Sequence, residues 1–445
     1  MTGEPTRFSR WGNRISWLLV PLAAVMQFVW LRRPVSIAGV TMTLELPLFG
    51  FLALIAAPWA VARIRVMNRW VQVLAGVFTV LIVYAMVGIA WRAGPVVETS
   101  HLTVVPGSYL LVPLLTALLA MAAGLGLAMA ADRRHLPVVL TWAAGALVVA
   151  GFVAWPRQVP VHRSLRLATA LGGSASIHLV FLLAAAVGLG WYLRSRGTVR
   201  SVEGAAGPAW PGPVLVVLGA TGVLATGSRG GLLALVAWVV LLAVQLLFGR
   251  NVRQRRLWPW LVTAGAGIGV AVVVAVLFPS LGRLFSLGDP LREQNLFSAL
   301  TWWTQDWQTI VAGAGSGQVW PWFAIDSGLV PAPGERMVPT PAGQVLLSPH
   351  STLLAVVVEL GLVGALLAGV MVFALCKLTL RGREDAFAAP LALALLATLV
   401  AFLFDTYLFK EFGNAFWWWL AAGAVAVCCS PVERQALSNS TTSPR

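Results

Sequence analysis

The sequence predicts an all-α integral membrane protein that crosses the bilayer about twelve times and carries one long loop on the outer side. Three observations predict this fold class. Hydrophobic residues make up 59% of the 445 residues and charged residues 11%, against about 25% charged residues in a soluble domain. Apolar runs as long as a bilayer-spanning helix recur along the chain, and basic residues gather in alternate connections between them. Residues 1–445 are therefore predicted to form a single membrane domain.

The apolar runs predict the positions of the membrane helices. The first run follows Arg7, Arg10 and Arg14 and lacks a cleavage site of small residues, so we expect a retained first helix rather than a signal peptide. Several runs contain Gly or Pro, which membrane helices tolerate because neighbouring helices satisfy the freed backbone groups. The runs are 15–31, 44–62, 70–91, 108–130, 136–155, 173–193, 213–226, 230–248, 259–279, 350–375, 388–408 and 411–429.

The distribution of charge predicts the orientation of these helices. With the N-terminus in the cytoplasm, 20 of the 31 Lys and Arg residues lie in inner segments, as the positive-inside rule expects. Most of the net charge of +15 therefore reflects topology, which argues against nucleic acid as a partner. The inner connections are short, and residues 431–445 are expected to form a disordered cytoplasmic tail. Any chemistry is thus expected within the membrane or outside it.

One connection is much longer than the others. Residues 280–349 form a predicted outer loop between the ninth and tenth spans. Loops of this length in compact proteins are usually functional or disordered, and the stretch FSALTWWTQDWQTIV is too rich in aromatic residues for disorder. We expect this stretch to form an amphipathic helix on the membrane surface.

The stretch TGSRGG at 226–231 places Arg229 at the outer start of the eighth span. Charge near hydrocarbon is costly and tends to be functional. Ser228 is predicted to cap the helix, and the glycines are expected to let a ligand approach the backbone closely. By contrast, the outer arginines Arg32, Arg33 and Arg92 are expected to extend to lipid headgroups.

The stretch LSPHSTLLAVVVELGLVG at 347–364 has a similar design. Ser348 is predicted to cap the tenth span, with Pro349 at its first position and His350 next. Two helix N-termini on one side, together with arginine, predict a site for an anion such as phosphate. A helix N-terminus and a nearby guanidinium both disfavour imidazolium, so we expect His350 to be neutral and able to act as a general base.

Glu359 follows His350 within the same predicted span. A carboxylate buried there needs a partner or a neutral form. Two interpretations stay open, a structural bond to another helix and a contact with substrate.

Taken in order, these segments resemble the O-antigen ligase and O-antigen polymerase superfamily. The resemblance is carried by TGSRGG before one span, the long outer loop, and PHSTLLAVVVELGLVG after it. Within the loop, LREQNLFSALTWWTQDWQTIVAGAGSG is similar to the family's arginine, aromatic-rich helix and Gly-x-Gly turn. RLATALGGSASIHLV looks like the family's arginine-containing entry to the sixth span, and the match covers about residues 160–375.

The resemblance implies a GT-C-like glycosyltransferase of the bacterial inner membrane with its active site on the extracytoplasmic side. Such proteins transfer a glycan from undecaprenyl or a related polyprenyl diphosphate to an acceptor sugar hydroxyl, without a metal, another cofactor or a nucleotide sugar. The outer loops contain no Asp-x-Asp motif, so arginines would have to neutralise the diphosphate.

The predicted site combines this chemistry with the outer residues. Arg229 and Arg292 are expected to clamp the diphosphate and stabilise the leaving group, and His350 is expected to deprotonate or orient the acceptor hydroxyl. Arg166 and Arg163 are predicted to bind the diphosphate or an acidic sugar. The predicted substrate-binding set also includes Ser228 and Glu359.

Three other interpretations remain open from the sequence. A polymerase of lipid-linked repeat units uses the same donor chemistry as a ligase. A glycan transporter would be expected to carry charges deeper in the spans of both halves, whereas here they gather at the outer face. An enzyme with a monophosphate lipid donor would favour an acidic base on the first outer loop, where Glu45 is the candidate.

Overall fold

The computed structural model describes residues 7–37, 40–64, 67–91, 107–162, 165–198, 208–248, 289–330, 336–340 and 342–430. Most of these residues are helical, which confirms a mainly α-helical protein. The predicted ninth span at 259–279, Arg92, Arg163 and the predicted tail at 431–445 lie outside the described residues.

Within the described residues, seven helices are long and apolar enough to cross a bilayer, which supports a multi-pass membrane protein. They are α2 (Glu45–Ile64), α3 (Arg69–Trp91), α4 (Gly107–Ala130), α5 (Leu136–His162), α6 (His178–Thr198), α8 (Arg229–Phe248) and α12 (Thr352–Gly382). Three shorter apolar helices overlap other predicted runs: α7 (Pro211–Ala225), α13 (Ala388–Ala401) and α15 (Phe412–Cys428). Helix α1 (Arg7–Leu22) begins and ends earlier than the predicted first run at 15–31 and shares only residues 15–22 with it. The number of twelve spans stays a prediction.

Helix α15 lies at the centre of the bundle, because every one of its residues is buried. It packs closely on α4, where a Cβ on Gly124 would lie 2.6 Å from the carbonyl oxygen of Phe416. Small residues of this kind let membrane helices approach each other, since packing rather than the hydrophobic effect holds them together in lipid.

The described part of the predicted outer loop contains three short helices and a hairpin. The helices are α9 (Pro290–Trp303), α10 (Trp307–Ala312) and α11 (Trp322–Asp326). The single surface helix expected over FSALTWWTQDWQTIV is wrong, because the chain breaks between α9 and α10. Asp306 accepts a hydrogen bond from the Thr309 N–H at 2.7 Å and so starts a new helix.

Two antiparallel hairpins were not expected from the sequence. One pairs β1 (Pro34–Ile37) with β2 (Val40–Thr43), and the other pairs β3 (Met337–Thr340) with β4 (Gly343–Leu346). Both lie in connections that hydropathy marks as loops. The alternating β-branched residues in PVSIAGVTMT were a signal for the first hairpin.

Segments predicted to lie on the same side of the membrane contact each other. At one end, Arg63 pairs with Asp132 at 2.6 Å and Arg133 pairs with Asp385 at 2.9 Å, and all four belong to predicted inner segments. At the other end, Arg32 pairs with Glu411, and both belong to predicted outer segments. The contacts agree with the predicted alternation, and which end faces the cytoplasm stays a prediction.

Candidate functional site

Arg229 is the first residue of α8, directly after a tight turn that follows α7. Ser228 Oγ accepts a hydrogen bond from the Gly231 N–H at 3.3 Å, which confirms Ser228 as a helix cap. Arg166 donates from Nε to the Thr226 carbonyl oxygen at 2.7 Å and from Nη2 to that of Gly227 at 3.0 Å. The Arg166 guanidinium therefore stabilises the turn that directly precedes Arg229.

The glycines after Arg229 have a different role from the one expected. A Cβ on Gly231 would lie 2.6 Å from the His178 ring, and one on Gly230 would lie 3.1 Å from the Cβ of Phe404. The close approach is thus to protein side chains rather than to a ligand. Because His178 is fully buried and its Nε2 lies 3.1 Å from the Tyr407 hydroxyl, this packing fixes the first turn of α8.

Arg292 completes what we call the arginine group, defined as Arg166, Arg229 and Arg292. It lies in the first turn of α9 and pairs with Asp289 at 3.4 Å. The pKa of Arg166 is lowered, first by burial and then by the positive charges of Arg229 and Arg292. Arginines from three separate segments therefore contribute positive charge around Arg166, and such a concentration of positive charge favours an anion.

His350 lies just before α12 and not inside it. The predicted cap at Ser348 is wrong: Ser351 caps the helix by accepting from the Leu354 N–H at 3.2 Å. His350 has φ 51, and it is the one non-glycine residue with positive φ in the described part of the chain. A left-handed backbone conformation costs a non-glycine residue about 1–3 kcal/mol, and residues in such conformations cluster at functional sites.

The pKa of His350 is lowered to about 4. Burial is the largest cause, followed by the positive charge of Lys410; Arg292 adds to the effect, while Asp405 and Asp326 oppose it. The expectation of a neutral imidazole agrees with this value. Its main cause is burial rather than a helix N-terminus.

Lys410 was missed by sequence reasoning. It ends α14 (Tyr407–Lys410), where its Nζ lies 2.9 Å from Asp326 Oδ2 and donates to Ser348 Oγ at 3.4 Å. The ammonium also lies 5.4 Å from the centre of the Trp322 ring. Lys410 and Glu411 lie where two predicted apolar runs, 388–408 and 411–429, almost meet. Charged residues in so short a connection could have indicated a functional or structural role.

Arg32 also departs from expectation, because it does not extend to lipid. Its side chain is 12% exposed, pairs with Glu411, lies 3.9 Å from Glu45 and donates to the Lys410 carbonyl oxygen at 2.7 Å. We call Arg32, Glu45, Glu411, Lys410 and Asp326 the paired group. Arg33, in contrast, is exposed, and its contact with lipid headgroups stays a prediction.

Glu359 is buried on α12 and binds the loop that follows α10. Its Oε1 accepts from the Trp320 N–H at 3.3 Å, and its backbone carbonyl accepts from the Gly315 N–H at 2.9 Å. Helix α12 breaks at Gly361, where φ is 65, and a Cβ on Gly313 would lie 2.3 Å from the Glu359 carbonyl oxygen. The ELG and GAGSG motifs therefore dock on each other, which favours the structural interpretation of Glu359.

An apolar pocket lies beside this junction. It is lined by α3, α4, α12 and the loop segment around Trp320 and Trp322, with Phe409 next to Lys410 on its wall. Such a pocket can accept hydrocarbon. Among the described residues, no three His, Cys, Asp or Glu side chains come together as metal ligands would.

No protein-family model matches the chain, and no curated protein matches it significantly. The case for a function therefore depends on the residues of the site themselves.

Proposed function

We propose that the protein is a glycosyltransferase that moves a glycan from a polyprenyl-diphosphate carrier to an acceptor sugar hydroxyl at the outer face of the bacterial inner membrane. One observation carries the proposal. The Arg166 guanidinium donates to two carbonyl oxygens of the turn before Arg229 and is affected by the positive charges of Arg229 and Arg292, and Arg292 also lowers the pKa of His350, which stays neutral near pH 7. An anion site beside a neutral base is what transfer from a diphosphate to a hydroxyl needs.

The reaction assigns a role to each side chain. The acceptor oxygen attacks the anomeric carbon as the bond from that carbon to the diphosphate oxygen breaks, with inversion. The acceptor's proton passes to His350, and the lipid diphosphate leaves with the bonding electrons. Arg229 and Arg292 stabilise the charge that grows on the leaving oxygen, which is commonly worth about 10²–10³ in rate for one such donor.

Arg166 supports this site in two ways. It contributes positive charge, and its hydrogen bonds to the Thr226 and Gly227 carbonyl oxygens hold the turn before Arg229. The apolar pocket on α3, α4 and α12 supports a lipid-linked substrate, because it offers apolar surface for part of a hydrocarbon chain, with Phe409 on its wall next to Lys410 in the sequence.

The test is transfer by the purified full-length chain in lipid nanodiscs, with a polyprenyl-diphosphate-linked glycan as donor. Arg229→Ala and His350→Ala should each lose about 10²-fold or more in rate. Arg33→Ala, an exposed arginine of the first hairpin region, is the matched control and should transfer at the wild-type rate. Wild-type transfer by either site variant would contradict the assignment.

Deletion of the gene distinguishes the related functions. Accumulation of full-length lipid-linked polymer would indicate a ligase, and accumulation of single lipid-linked units would indicate a polymerase. Accumulation of donor on the cytoplasmic face, with no effect of purified protein on the donor's glycosidic bond, would favour a transporter and contradict the proposal.

A further inference from the structure

Lys410 belongs to a different chain segment from every residue assigned to the proposed reaction, yet it lies beside His350. Its Nζ donates to Ser348 Oγ, two residues before His350. The Lys410 side chain is 13% exposed, and Asp326 of the loop helix α11 pairs with it at 2.9 Å. The ammonium is therefore fixed by a hydroxyl, a carboxylate and the Trp322 ring.

The residue type is itself informative. The chain contains 31 Lys and Arg residues, of which two, Lys377 and Lys410, are lysines. Arginine matches planar anions in a bidentate way, whereas lysine acts as a compact point charge. A buried point charge beside a histidine is suited to controlling the histidine electrostatically rather than to binding the diphosphate.

From these contacts, and resting on the proposed function, we propose that Lys410 is a positioning residue for His350. The ammonium holds the Ser348–Pro349–His350 segment in place and keeps positive charge beside the imidazole. Lys410 also pairs with Asp326 of the outer loop, so one ammonium connects the outer loop to the segment that contains His350. The imidazole then meets the acceptor hydroxyl as a proton acceptor.

The charged groups around His350 define the expected signs. Lys410 on α14 and Arg292 on α9 lower its pKa, and Asp405 before α14 and Asp326 on α11 raise it, with Lys410 having the largest effect of the four. Removal of Lys410 should therefore raise the pKa of His350 above the wild-type value of about 4. Removal of Lys410 and Asp326 together should raise it less, because Asp326 has the smaller, opposite effect.

The experiment is a pH titration by NMR of the full-length protein in nanodiscs with labelled histidine. The chain has five histidines, and His350→Gln identifies the His350 signal. Lys410→Met and the double variant Lys410→Met/Asp326→Asn should both shift the His350 titration upward, the single variant more. Lys377→Met, the other lysine, should leave it unchanged, since Lys377 lies in a segment predicted for the opposite side and close to Phe373.

Lys410→Met alone leaves the Asp326 carboxylate without its partner, which could prevent folding. Lys410→Met/Asp326→Asn removes that carboxylate as well, so the double variant tests the proposal even if the single variant does not fold. An unshifted His350 titration in the variants that fold would overturn the proposal. The NMR result does not require turnover. Loss of the proposed function would appear as absence of transfer by the wild type, whereas failure of the Lys410 proposal would appear as an unshifted His350 in an active protein.

A kinetic readout separates positioning from a general loss of structure. In Lys410→Met, the ratio of the transfer rate at pH 5 to that at pH 7 should fall below the wild-type ratio. A purely structural role would lower both rates by the same factor and leave the ratio unchanged, which would also contradict the proposal.

Discussion

The arginine group and the paired group each contain one cation that acts on His350, namely Arg292 in the first and Lys410 in the second, and the two groups shift the pKa values of their own members in opposite directions. In the arginine group, burial and neighbouring positive charges lower the pKa of Arg166. In the paired group, burial alone would lower the pKa of Lys410, but the carboxylates of Asp326, Asp405 and Glu411 outweigh it and the net shift is upward. Cations that repel one another favour the binding of an anion, and because the ion pair of Arg292 with Asp289 is solvent-exposed, an anion can compete with Asp289 there. Buried cations that carboxylates already match instead hold chain segments together.

The same contrast appears in exposure. The side chain of Arg292 is 42% exposed, and that of Arg32 is 12% exposed. A ligand can therefore reach the first group, while the second is enclosed by protein. Variants of the two groups should consequently affect different properties, namely ligand binding in the first and stability in the second.

The largest expected effect on stability comes from breaking the paired group. Arg32→Met would leave the buried carboxylates of Glu411 and Glu45 without their guanidinium, and loss of one partner of a buried pair costs about 3–5 kcal/mol. We expect a marked fall in melting temperature, measured in detergent or nanodiscs. Arg33→Met, one residue further along and exposed, is the matched control, with an effect within about 0.5 kcal/mol.

The double variant Arg32→Met/Glu411→Gln sharpens this prediction. Because it removes the uncompensated charge as well, it should recover part of the lost stability. No recovery, or equal effects of Arg32→Met and Arg33→Met, would show that Arg32 is not a structural ion-pair residue.

The rate of transfer is expected to change little between pH 7 and pH 5. A histidine with the ordinary pKa of about 6.5 would be roughly 76% neutral at pH 7 and roughly 3% neutral at pH 5, so a rate that needs neutral histidine would fall about 25-fold. Because the pKa of His350 is about 4, the rate should fall by less than about twofold. A fall of about 25-fold, measured with donor binding saturated, would exclude His350 as a base with a lowered pKa.

The same shift predicts a pH dependence of stability. Between about pH 6.5 and pH 4 the unfolded chain binds a proton that folded His350 does not, so the contribution of His350 to stability falls as the pH is lowered. His350→Gln should remove this part of the pH dependence.

The sequence predicted the helices better than the site. The run at 230–248 predicted α8 to within one residue, because hydropathy and a capping serine both mark its start. The start of α12 was placed too early, since Ser348 and Ser351 are both plausible caps and only the fold selects Ser351. The break at Gly361 depends on the docked GAGSG turn, a tertiary contact that periodicity does not reveal.

The paired group could not be predicted because its members are distant in the sequence. Arg32 and Glu411 are 379 residues apart, and neither has a local pattern that distinguishes it from a residue facing lipid headgroups. Arg229 and His350 could be predicted as site residues from their neighbours in the sequence, because a charged or titratable side chain at the start of a membrane helix is costly and tends to be functional. Distant partners such as Lys410 require the fold.

We propose that the arginine group binds a lipid diphosphate and that His350, the base beside it, does not contribute to this binding. The most direct measurement is equilibrium binding of undecaprenyl diphosphate to the purified chain in nanodiscs. Arg229→Ala should weaken binding by about tenfold or more, because a charge-assisted contact is lost, whereas His350→Ala should bind like the wild type while failing to transfer. Wild-type binding by Arg229→Ala would contradict the account.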